Sequence, residues 1–186
     1  MIMSETSLEP VAAVRKLAGK YLTFTLQRES YGIEVLKVRE IIRLIGISTV
    51  PQMPAYVCGV INLRGKIIPV VNLRLRFGFP DVASTEQTCI VVVLVKSPGG
   101  KSTQMGIVVD GVEEVVNVAA DDIENTPDFG GAVSTECILG MAKIKGAVKA
   151  LLDIDKVIGG DVTVGSRLAE STLVVHHPRT YGRRFG

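Results

Sequence analysis

The sequence predicts an all-β protein with a few short helices, built as two similar small β-barrels that share one hydrophobic seam. Three observations carry this reading: the apolar composition, many short strand-like segments between turn signals, and an internal repeat. Hydrophobic residues make up 47% of the 186, yet aromatics make up only 5% and Trp is absent. Val, Ile and Leu must therefore fill the interior, and branching at Cβ favours strands over helices. A charged fraction of 22% and a net charge of +2 are globular composition, with no general phosphate-binding surface.

Taken in order, residues 1–19 mix small, polar and charged side chains and read as an N-terminal extension, disordered or weakly helical. The domain proper is expected over residues 20–160 as two barrel subdomains, and residues 161–186 form a C-terminal segment with a basic tail. Leu22, Phe24 and Leu26 alternate with Thr23 and Thr25, the period of two of a strand with one buried face. Polar residues 27–30 then turn the chain into a strand over 31–35. Further strands are expected over 40–44, 57–63, 66–71, 89–96, 104–109, 112–118, 138–144 and 147–152. The Pro98-Gly99-Gly100-Lys101-Ser102 stretch lacks the spacing of a phosphate loop and joins two strands, so it reads as a hairpin loop.

The repeat says that one supersecondary unit is used twice. GIEVLKVREIIRL from Gly32 lies over GIVVDGVEEVVNV from Gly106, sharing the pattern G-I-x-V-x-x-V-x-E-[IV]-[IV]-x-[LV]. Further on, GVINLRGKIIPVVNL from Gly59 lies over GMAKIKGAVKALLDI from Gly140, with Arg64 over Lys145, Gly65 over Gly146 and Asn72 over Asp153. Asn72 and Asp153 are both good N-caps, so each repeat is expected to close with a short helix. Leu63-Arg64-Gly65-Lys66 lies between apolar runs, with Gly where a tight turn needs positive φ, so Arg64 should project from a tip. Pro69 cannot donate a ladder hydrogen bond, which places its strand at an edge, open to docking, or at a bulge.

Catalytic and metal chemistry are sparse. Cys58, Cys89 and Cys137 lie far apart without C-x-x-C spacing and read as reduced, buried, cytosolic thiols. His176 and His177 sit side by side near the C-terminus without acidic or thiol partners, a poor metal site. Glu113-Glu114 and Asp121-Asp122 read as solvated charges, because neighbours on a strand point to opposite faces. No nucleophile, base and orienting partner converge, so no catalytic residue, cofactor or metal is assigned. The longest apolar run, residues 89–95, is too short to span a membrane, and residues 1–16 lack the pattern of a signal peptide.

FTLQRESYGIEVLKVREI from Phe24, VPQMPAYVCGVINLRGKIIPVVNLRLRFG from Val50, GIVVDGVEEVVNV from Gly106 and STECILGM from Ser134 resemble the CheW family. These are the coupling proteins of bacterial chemotaxis, whose domain also occurs as the regulatory domain of the histidine kinase CheA. The resemblance implies two intertwined SH3-like barrels and scaffolding rather than enzymatic activity. It implies two partners, the cytoplasmic tips of chemoreceptors (methyl-accepting chemotaxis proteins) and the CheA regulatory domain, and a cytoplasmic location at receptor arrays. A groove between the barrels would receive the receptor's helical hairpin, and barrel ends would pair with the kinase.

By matching positions, Val38, Glu40, Gly59, Arg64, Ile90 and Val115 are carried over as partner-binding or interface-supporting residues, with ordinary core packing an open alternative for Val38, Ile90 and Val115. Arg64 has the strongest claim, because a turn-tip arginine has no core to fill and can hold a carboxylate bidentately. Nucleic acid is not expected as a partner. The alternative, a small β-barrel nucleic-acid binder, rests on Arg179, Arg183 and Arg184 interleaved with Tyr181 and Phe185.

Overall fold

Strand β1 (Gly19–Leu26) shows why the fold needs two barrels. In the computed structural model, which describes residues 9–128 and 135–158, both faces of this strand are covered. Leu22, Phe24 and Leu26 face one core, while Tyr21 faces another. Thr23, expected on a solvent face, is fully buried. Its hydroxyl lies 3.0 Å from the Glu114 carbonyl, which supplies the acceptor a buried hydroxyl needs.

After β1 come β2 (Glu29–Glu34), a 3₁₀ turn (Val35–Lys37) and β3 (Val38–Arg43). A hairpin of β4 (Val57–Leu63) and β5 (Lys66–Asn72) leads into helix α2 (Leu73–Arg76), counting a preceding helix α1 (Glu9–Arg15). The second half runs β6 (Cys89–Lys96), β7 (Ser102–Val109), β8 (Gly111–Val118), a 3₁₀ turn (Ala120–Asp122) and β9 (Ile123–Glu124). It closes with β10 (Ile138–Ile144), β11 (Ala147–Leu152) and α3 (Ile154–Ile158).

The strands form two sheets, ordered β8-β1-β2-β11-β10-β9 and β3-β6-β7-β5-β4. The repeats are therefore intertwined. The first sheet takes β1 and β2 from the first repeat and β8, β10 and β11 from the second; the second sheet reverses this. In each, a parallel pairing joins the halves, β11 to β2 and β5 to β7. Three apolar clusters result. The seam gathers Phe24, Leu26 and Ile33 with Val91, Val93, Val95, Met105 and Ile107 from the other sheet. Tyr21, Val116, Ala142 and Leu151 line one barrel, and Ile61, Ile68, Ile90 and Val92 line the other. Strand β6 faces the seam with Val91, Val93 and Val95 and a barrel with Ile90 and Val92, which explains its unbroken apolar run.

Each closing helix is tied to the other repeat. Arg74 of α2, itself buried, is ion-paired with Asp110 at the β7–β8 crossover. Asp110 also accepts the Gln27 backbone N–H at 2.7 Å. In the other half Asp155 of α3 takes Lys37 of the β2–β3 crossover at 2.6 Å and the Lys96 N–H at 2.8 Å. The architecture is the same with acid and base exchanged. Both N-caps form: Asn72 Oδ1 accepts from the Arg74 N–H at 3.0 Å, and Asp153 Oδ1 accepts from the Asp155 N–H at 3.1 Å.

Two expectations change and a third is narrowed. Strand β5 is not an edge, since it pairs with β4 and with β7; the β7 register covers only Val70, Val71 and Asn72, so the β7 pairing begins just past Pro69. Residues 1–19 include α1, and Val14 and Leu17 pack on the first barrel's core, where the Tyr21 hydroxyl donates to the Leu17 carbonyl at 2.7 Å. Glu113 is not merely solvated. It receives Lys149 and Ser30, both at 2.9 Å, and compensates the charge of a lysine that is 8% exposed.

Candidate functional site

The β4–β5 hairpin turns through Arg64 and Gly65 at φ +50° and +82°, flanked by the Leu63–Lys66 pair. Two central residues with positive φ match the right-handed strand twist, and Gly65 reaches that region without strain. Arg64 stands at the tip with its side chain 74% exposed. Its Nη1 and Nη2 donate to Glu40 Oε1 and Oε2 of β3, both at 2.7 Å, in a two-pronged clamp. Hydrogen bonding from Arg64 holds the Glu40 carboxyl below the usual carboxylate range. An exposed pair of this kind adds little to stability, and its two bonds hold a guanidinium in one orientation at the surface.

The other barrel carries the same device. Lys145 and Gly146 turn the β10–β11 hairpin at φ +50° and +79°, and Lys145 Nζ reaches both Glu114 oxygens at 2.8 and 2.7 Å. These are the repeat mates of Arg64, Gly65 and Glu40. The resemblance did not single out Glu114 or Lys145, although the repeat already laid them over Glu40 and Arg64. Exposed apolar residues recur at matching positions as well: Ile41 and Ile67 in one half, Val115 and Val148 in the other.

The six residues carried over from sequence separate by location. Glu40 and Arg64 meet directly. Val115 is 55% exposed beside Glu114 on β8, in the other sheet. Val38 is half-buried against the seam. Gly59 is a backbone requirement: at φ +136° a Cβ there would lie 2.0 Å from the Ser48 carbonyl oxygen. That contact lets Ser48 and Val60 exchange backbone hydrogen bonds of 2.9 and 2.8 Å. Ile90 is fully buried among Ile47, Ile68 and Val70 and offers no surface to a partner. Gly59 and Ile90 thus hold structural places, one in the backbone and one in a core.

Along the seam cluster, the rings of Phe24, Tyr31, Phe77 and Phe79 follow one another at 6.1, 5.9 and 6.2 Å, and Arg76 lies 5.1 Å from the Tyr56 ring centre. A cavity of about 230 Å³ nearby is lined by Cys58, Asn72, Arg74 and Asp110. Burial pushes the Cys58 thiol up to about 11, so it stays protonated at neutral pH and is no nucleophile. Among the described residues no His, Cys, Asp and Glu cluster is placed to hold a metal, and no helix is long and apolar enough to cross a membrane. The histidines and the Arg-rich end lie outside the described residues.

The family model of the CheW-like domain matches residues 20–161. The chain belongs to the CheW family. It is 36% identical over 156 residues to the chemotaxis protein CheW of Klebsiella aerogenes, covering 81% of this chain and 91% of that one. It is 32% identical to the CheW of Rhizobium meliloti over 148 residues, 75% and 92% of the two chains. The crystal structure of the scaffolding protein TtCheW from Thermoanaerobacter tengcongensis superposes with a TM-score of 0.66 at 30% identity, covering 76% of this chain and 88% of that one. The intertwined pair of SH3-like barrels is therefore the CheW architecture, and the family's role is scaffolding in chemotaxis.

Proposed function

We propose that this chain works by docking alone, as an adaptor that holds chemoreceptor cytoplasmic tips and the CheA regulatory domain in one array at the cytoplasmic face of the membrane. The observation that carries this reading is the Glu40–Arg64 clamp, an exposed guanidinium fixed by two 2.7 Å hydrogen bonds on a rigid hairpin tip. Its echo at Glu114–Lys145 is a second, related end, which supports an adaptor that meets two partners. Exposed Ile41, Ile67, Val115 and Val148 supply apolar contact area on the same strands, and the half-buried rings of Tyr31, Phe77 and Phe79 suit a helical hairpin.

The test is Arg64→Asp, assayed for binding to a purified receptor cytoplasmic fragment and to the kinase regulatory domain. Weakened binding to at least one partner with an unchanged melting temperature supports the proposal. Full affinity for both would sink the assignment of Arg64.

A further inference from the structure

Asn62 stands two residues before Arg64, and its Oδ1 accepts the Gly65 backbone N–H at 2.9 Å. That bond spans the turn and braces the peptide on which Arg64 is carried. The opposite hairpin shows that the turn does not need it. Lys143 occupies the matching position and is ion-paired with Glu124 instead, yet Lys145 and Gly146 adopt the same φ angles. The brace is present at the tip whose side chain must align two parallel hydrogen bonds, and it is missing where a single lysine nitrogen makes a contact of similar length but without a fork to align.

We infer that Asn62 is a positioning residue: it fixes the Arg64 tip so that the guanidinium meets Glu40 in register and stands ready for a partner. The inference rests on the reading of Arg64 as a docking residue. Because Asn62 is exposed, replacing it leaves the core untouched. A hydroxyl at this position can accept the same backbone N–H more weakly, so Asn62→Ser should restore part of what Asn62→Ala loses.

The experiment has two readouts on the full chain. The first is the Glu40 carboxyl titration followed by NMR, which senses the clamp without any partner. Asn62→Ala should move the Glu40 pKa up toward the ordinary carboxylate range, as Arg64→Ala would, and Asn62→Ser should move it less. The second is affinity for the kinase regulatory domain and the receptor fragment, expected to weaken about two- to tenfold in Asn62→Ala, the range of one lost hydrogen bond. A Glu40 titration unchanged in Asn62→Ala overturns the positioning role. A raised Glu40 pKa with undiminished affinity for both partners upholds the positioning role and removes Arg64 from the docking surface.

Discussion

The two barrel ends repeat one design with different parts. At one, an arginine grips Glu40 with two nitrogens; at the other, one lysine nitrogen reaches both oxygens of Glu114. A guanidinium fork fixes direction as well as charge, whereas an ammonium fixes only charge. The glycines behind the tips differ too. Both sit at register shifts, but a Cβ at Gly59 would lie 2.0 Å from the Ser48 oxygen, against 3.0 Å from the Glu124 oxygen at Gly140. The backbone behind the arginine tip is thus the more closely packed of the two.

The largest expected effect breaks that comparison at the backbone. Gly59→Ala should destabilise the fold by about 3–5 kcal/mol, because backbone must move away from Ser48, whereas Gly140→Ala should cost about 1–2 kcal/mol. Denaturant titration of the two variants measures the gap, and equal losses would refute the difference in packing behind the two tips. Next, Ile90→Ala should cost about 2–4 kcal/mol from a core cavity. Its residual docking, measured on the folded fraction, should match the parent, since Ile90 has no exposed surface.

Smaller effects probe the tips. Arg64→Lys should weaken docking about tenfold, and Lys145→Arg by less than about twofold, both read by isothermal titration calorimetry. Lys145→Ala should change stability by no more than about 0.5 kcal/mol, as an exposed pair does. Acid gives the mildest perturbation. The Glu40 carboxyl lies below its ordinary range in the folded chain, so its contribution is fully present above the unfolded pKa and disappears as pH falls through the lowered folded value. Docking that depends on the clamp should therefore hold from neutrality down through pH ~5 and fail only below the usual carboxylate range. Loss between pH 6 and 7 would point to another group.

Much of this was legible in the sequence because local chemistry decided it. The strand bounds over 57–63, 89–96, 138–144 and 147–152 coincide with β4, β6, β10 and β11, where runs of Val, Ile and Leu end at turn signals. Asn72 and Asp153 cap helices as expected, and Arg64 stands on its tip. What escaped depends on intertwining. Thr23 alternates like a solvent-facing residue, yet the second repeat's β8 supplies its acceptor from 91 positions away. Pro69 signals an edge, but β7 pairs only from Val70 onward. Glu113 finds Lys149 across a sheet assembled from both repeats. For Ile90 the alternative of core packing is the one the fold realises, as the unbroken apolar run of β6 allows, while the backbone demand at Gly59 comes from Ser48, eleven positions away, and has no local signal.

A charge exchange separates a role of Arg64 in serving partners from a role in stability. In the double variant Glu40→Arg/Arg64→Glu the ion pair can reform with its polarity reversed, so the melting temperature should equal that of the parent. Docking to the receptor fragment and the kinase regulatory domain should stay as weak as in Arg64→Asp, because the exposed tip now carries the wrong charge. Recovery of parental affinity together with parental stability would show that the pair only shapes the hairpin, and would contradict the account.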